Sequence, residues 1–78
     1  MTNPTQEEMY YCDYLRYGFL ETYSSFTLYE SAAYAMGLIE DCAGVPKAIR
    51  QGSRIILETC DYDSLEELYR KALREKVS

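Results

Sequence analysis

Three thiols, three pairs of adjacent carboxylates and one short run of bases are the side chains here from which chemistry could be built. The chain has 78 residues and no histidine, so the usual imidazole base and metal ligand is missing. Cys12, Cys42 and Cys60 are widely spaced and form no C-x-x-C pair. A thiol nucleophile needs a base within reach, and none is offered. The acidic pairs are Glu7/Glu8, Glu40/Asp41 and Glu66/Glu67. Adjacent side chains on a helix diverge, so these are poor acid–base partners. Neither a phosphate-cradling glycine loop nor a calcium loop is present. The expectation is a chain that is not an enzyme, with no cofactor and no metal.

The elements expected to position these groups are four helices. The first spans about Thr5 to Tyr23, with Thr5 as N-cap and Gln6, Glu7 and Glu8 at the positive end of the dipole. The second runs from Thr27, where T-L-Y-E offers a capping box with Glu30, to about Ala43, with Gly44 as its stop. Val45–Pro46 opens a third that ends near Cys60. Asp63 caps the fourth, where Leu65, Leu68, Tyr69, Ala72 and Leu73 recur at helical spacing. Glu66 completes its capping box, and Arg70, Lys71, Arg74 and Lys76 close it. With no Asn-Gly or Asp-Gly turn, strands read as the poorer alternative. The fold expected is all-α: one small four-helix domain over residues 1–78, with a central helical hairpin of helices two and three. Gly37 and Gly52 would meet at one level of that hairpin, and Gly18 would sit inside helix one at a cost of about 1 kcal/mol.

Buried stripes follow from a 100° turn per residue. Helix two would bury Leu28, Ala32, Ala35, Met36, Ile39 and Cys42, and helix three Ala48, Ile49, Gly52, Ile56 and Cys60. The far side of helix three would show Lys47, Arg50, Arg54 and Glu58, a basic stripe suited to an anion or to solvent. Helix one would carry two apolar stripes: Cys12, Leu15, Phe19 and Tyr23, and separately Tyr10, Tyr14 and Tyr17. Tyrosine gives wide contact area at little rotamer entropy, so the second stripe reads as a docking surface.

The charge is uneven. Residues 1–44 hold seven acids against Arg16 alone, and residues 45–78 hold six acids and seven bases. The net charge of −5 disfavours general binding to a phosphate backbone. A helix-turn-helix would need a small residue four before Gly44 and an apolar one six after it, where Glu40 and Arg50 stand. Acids near a predicted helix end, Glu40 and Asp41, point instead to a protein partner. The N-terminus lacks a signal pattern and no run reaches the ~18 apolar residues of a membrane span. With an odd number of cysteines, a cytoplasmic location is expected.

In bulk properties the chain is similar to the small, acidic, single-domain inhibitors of phages and mobile elements, anti-CRISPR and DNA-mimic proteins among them. That likeness implies docking on a nucleic-acid-binding enzyme. The expected function is therefore a non-enzymatic protein-binding module, with Tyr10, Tyr14, Tyr17, Glu21, Tyr34, Glu40 and Asp41 as contacts. The alternative is a homodimeric helical DNA-binding or regulatory protein, using Lys47, Arg50 and Arg54 on the third helix.

Overall fold

A computed structural model describes residues 8–58 and 60–77. The elements run β1 (Tyr10–Arg16), β2 (Phe19–Ser25), α1 (Leu28–Glu40), β3 (Val45–Gln51), β4 (Arg54–Leu57) and α2 (Tyr62–Val77). The four strands form one antiparallel sheet in the order β2-β1-β3-β4. The fold is thus α+β, and the expected all-α bundle is wrong. Helices one and three are both hairpins of strands. The first turn expected at Thr5 to Glu7, and the side chain of Lys76, lie outside the described residues.

Two tight loops decide the matter. Arg16 faces Phe19 across the two-residue loop Tyr17–Gly18, with φ +52° and +82°. Left-handed φ at both positions is what a type I′ turn requires, and its twist matches the flanking strands. Gly18 therefore serves the turn and does not weaken a helix. Gln51 faces Arg54 across Gly52–Ser53, with φ +59° at Gly52. So Gly52 does not meet Gly37 in a helical hairpin. In the strands that flank these loops Tyr10, Tyr11, Tyr14, Tyr23, Val45, Ile49, Ile55 and Ile56 are strand formers. Pro46 stands in an inner strand without harm. The register shifts beside it, and β4 pairs β3 only from Ile49 to Gln51, so β3 is locally an edge there.

Cys12 on β1 faces Tyr23 on one side and Ile49 on the other, and Ile49 faces Leu57. This row lies under the helices. Cys12, Tyr14, Ala35, Leu38, Ile49 and Leu65 form the buried core, with Leu28, Met36, Ile39 and Leu68 packed around it. Helix α1 was expected in nearly these bounds, but it buries Ser31, Ala32, Ala35 and Leu38. The hydroxyl of Ser25 donates to the Thr27 carbonyl (2.8 Å), so the Ser31 hydroxyl must donate to Ser25 (2.6 Å). The expected Thr27 cap is not made by its side chain. Asp61, not Asp63, caps α2: it accepts from the Ser64 amide (3.2 Å) and hydroxyl (2.7 Å). These bonds hold the Asp61 carboxyl below its ordinary range. No helix among the described residues is long and apolar enough to cross a membrane.

The end of α1 falls earlier than Gly44. The Ala43 amide donates to Leu38 O (2.9 Å) and the Cys42 amide to Ile39 O (3.2 Å), the two bonds of a Schellman turn. Cys42 takes the left-handed position, at φ +52°, and is exposed rather than core. Gly44 is needed for a different reason: a Cβ there would stand 2.9 Å from the Leu15 carbonyl. Left-handed backbone costs an ordinary residue roughly 1–2 kcal/mol. Cys42→Gly should therefore raise stability by about 1 kcal/mol after glycine's own entropy, a gain of roughly 4–8 °C in Tm. Thermal unfolding followed by circular dichroism checks this, and no gain would contradict the strain.

Candidate functional site

Helix α1 packs across one face of the sheet and α2 packs on α1, with Leu65 reaching into the shared core, and the other face is open. Strand register sets the open face in rows. Leu20, Leu15 and Val45 make the first row, Thr22, Asp13 and Ala48 the second, and Ser24, Tyr11, Arg50 and Ile55 the third.

The middle of this face is a polar clamp. The Arg50 Nε and Nη2 donate to the two Asp13 oxygens at 2.7 and 3.2 Å, and Nη1 donates to the Gly52 carbonyl at 2.6 Å. Its guanidinium lies 4.5 Å from the Tyr11 ring centre. Thr22 donates to Asp13 at 2.8 Å. Arg50 above all, by its hydrogen bonds, holds the Asp13 carboxyl below its ordinary range. This network joins three strands and leaves Arg50 committed.

The first row is different. Leu20 and Val45 are exposed, and beyond them the turn carries Tyr17, 93% exposed, and Phe19, 74% exposed. Leu15, Tyr17 and Val45 line a shallow cleft with Cys42, Ala43 and Gly44. Acids border this end. Glu21 lies 3.7 Å from Arg16, and Asp41 shares a second hollow with Arg16 and Ala43. An apolar end with carboxylates beside it can bury area against a protein and steer it by charge.

The expected contacts are divided by this geometry. Tyr17, Glu21 and Asp41 lie at the same end of the sheet, but Glu21 pairs with the buried Tyr14 and so projects to the helix side, opposite the row of Leu20, Leu15 and Val45. Tyr14 is buried, with its ring at 60° to that of Tyr34 and the Tyr34 hydroxyl donating to its own at 3.1 Å. Burial in the core raises the Tyr14 phenol above its ordinary value. Tyr34 also stacks on Tyr23 at 4.0 Å, and both rings are half-buried against the core that holds Tyr14. Tyr10 lies at the other end of β1, beside Phe26, Leu28 and Ala72. Glu40 is exposed and accepts a hydrogen bond from the Tyr62 hydroxyl. The stripe of Tyr10, Tyr14 and Tyr17 does not exist as one surface.

The basic stripe does not exist either, because its helix is the β3–β4 hairpin. Lys47 sits at the bulge near the start of β3, Arg54 follows the Gly52–Ser53 loop, and Arg50 between them is paired. Helical DNA binding through the third helix has no basis. The thiols divide too. Burial first, and then Cys60 and Asp13, pushes Cys12 up to about 12, so it acts as a small apolar side chain. Leu15, Phe19, Leu20 and Val45 were missed as surface residues. The Tyr-Gly pair at 17–18 was the signal, because it could have marked Phe19 and Leu20 as strand residues beside a turn. Comparison with protein-family models, with curated proteins and with solved structures finds no match to this chain.

Proposed function

We propose that this protein is a non-enzymatic docking module whose contact surface is the apolar end of the open sheet face. Tyr17, Leu20 and Val45 supply buried area on docking, with Leu15 beneath them, and Glu21 and Asp41 steer the encounter. The reading is carried by one observation: the most exposed apolar side chains of the turn and the carboxylates cluster at the same end. The partner this fits is a larger protein with an apolar groove rimmed by Lys and Arg. Enzymes that hold nucleic acids present such rims, and covering one inhibits the enzyme. Three free cysteines, with Cys42 exposed, fit a reducing cytoplasm.

The test is affinity capture from the native host with the wild-type chain and a Tyr17→Ser, Leu20→Ser variant. The expected result is a larger protein held by the wild type and released as salt is raised. The variant should bind it at least about tenfold more weakly while its Tm stays close to the wild type's. Equal retention by the folded variant would remove the assigned surface.

A further inference from the structure

The two outer strands of the sheet are unequally protected. β4 is short, carries Arg54 and is bulged against β3 at Ile49/Arg50. These are the devices by which proteins blunt an edge. β2 has none of them. It is seven residues long, pairs with β1 in unbroken register, and holds neither proline nor lysine. Its one charge, Glu21, already faces Arg16. Beside a two-residue loop the flanking pair, Arg16 and Phe19, exchanges hydrogen bonds, and alternate pairs follow. The N–H and C=O groups of Leu20, Thr22 and Ser24 therefore point away from β1, along a side where, among the described residues, the sheet has no further strand.

We infer that this edge pairs with the same edge of a second copy, antiparallel, about a twofold axis at Thr22. In that register Thr22 faces its own copy, Leu20 faces Ser24, and Glu21 faces Tyr23, so no like charges oppose. The chain has two phenylalanines, Phe19 and Phe26, and they bracket β2. They are 74% and 65% exposed. The twofold axis brings Phe19, which faces Ser25 of the copy, beside the Phe26 that follows it, twice over. A single chain leaves both rings in water, and the pair of chains covers them. This self-complementarity is what selects a second copy over an unrelated strand. The product is a continuous eight-stranded sheet with all four helices on one face. Tyr17, Leu15 and Val45 lie off this edge, whereas Leu20 and Glu21 on β2 belong to both surfaces; chain mass reads the pairing and capture of a larger protein reads the docking, so the two can fail separately.

Sedimentation velocity over a concentration series tests it, on the full chain. The expected result is a concentration-dependent species of twice the chain mass. Thr22→Pro removes the central edge N–H, and proline is tolerated on an edge strand. Phe26→Asp removes the aromatic contact from outside the strand. Each change acts twice across the axis, so each should weaken the dimer by roughly tenfold to a hundredfold. Circular dichroism identifies the variants that remain folded, and Phe26→Asp keeps the test open should the proline unfold the chain. A wild type that stays monomeric at the highest concentration would overturn the inference. So would a dimer that a folded variant leaves unweakened.

Discussion

Ile49→Ala should cost about 3–4 kcal/mol, the largest stability loss of any single truncation in this chain. Ile49 is fully buried, and its neighbours across the sheet are Cys12 on β1 and Leu57 on β4. It also belongs to the cluster that joins α1 and α2 to the sheet, through Ala35, Leu38 and Leu65. Removing its side-chain carbons opens a cavity where sheet and helices meet, and the backbone hydrogen bonds on both sides keep β3 from moving in to fill it. A domain of this size has roughly 4–12 kcal/mol in total, so the loss is about a quarter or more of it. The denaturant midpoint should fall by that fraction at an unchanged slope. Ile49→Val, which removes one carbon, should cost only about 1 kcal/mol. A loss below about 1 kcal/mol for the alanine variant would mean that the helices do not close over Ile49.

Burial at Ile49 was legible in the sequence, although the element around it was not. Ile49 falls on the inward stripe of the expected helix and on the inward face of the strand alike, so its core membership survived the wrong period. Helices α1 and α2 were legible for a stronger reason. Leu65, Leu68 and Ala72 recur over several turns, and a long periodic run leaves little room for a strand. The segments at 10–25 and 45–57 lack that length. In β1 both faces carry tyrosine or leucine, since the row under the helices is buried and the open face is partly apolar. Alternation was therefore masked. The loops were the remaining signal. Tyr17–Gly18 meets the same backbone demand as Asn-Gly, Gly52–Ser53 needs positive φ at its first residue alone, and Cys42 takes positive φ at the end of α1 with a residue type that pattern reading does not expect there.

The surface was less legible than the core, for a related reason. Tyr14 and Tyr17 differ by three positions, which is one helical face. On β1 and its turn the same spacing puts one in the core and the other in solvent. The acids were less sensitive to the error, because a charged side chain stays exposed in either element. Glu21, Glu40 and Asp41 are exposed for that reason. The bases show the limit of this rule. Arg50 would have been a free cation on a helix, yet β pairing set it two residues diagonally from Asp13, where a bidentate bond forms. That pair lies 37 positions apart in sequence, and nothing local announces it.

Asp13→Asn should cost about 2 kcal/mol at neutral pH, and this cost should shrink on acidification. Both side chains of the Asp13–Arg50 pair are mostly covered, at 21% and 29% exposure. Hydrogen bonds to charged groups of this kind are worth roughly 1.5–3 kcal/mol. Asparagine keeps an oxygen for Arg50 or Thr22 but supplies no charge. The pH dependence has a definite sign. The folded protein holds Asp13 below its ordinary 3.8, mainly through the Arg50 hydrogen bonds. The unfolded chain therefore takes up the proton first as pH falls. The stability from this pair is complete well above 3.8 and is lost as pH drops from there through the folded value. Asp61, also held low, contributes with the same sign. Urea unfolding of both proteins at neutral and at strongly acidic pH gives the difference directly. Convergence of the two stabilities in acid is the expected result. A gap that stays constant with pH would mean that asparagine perturbs the strand itself, and that the ion pair is not what joins β1 to β3.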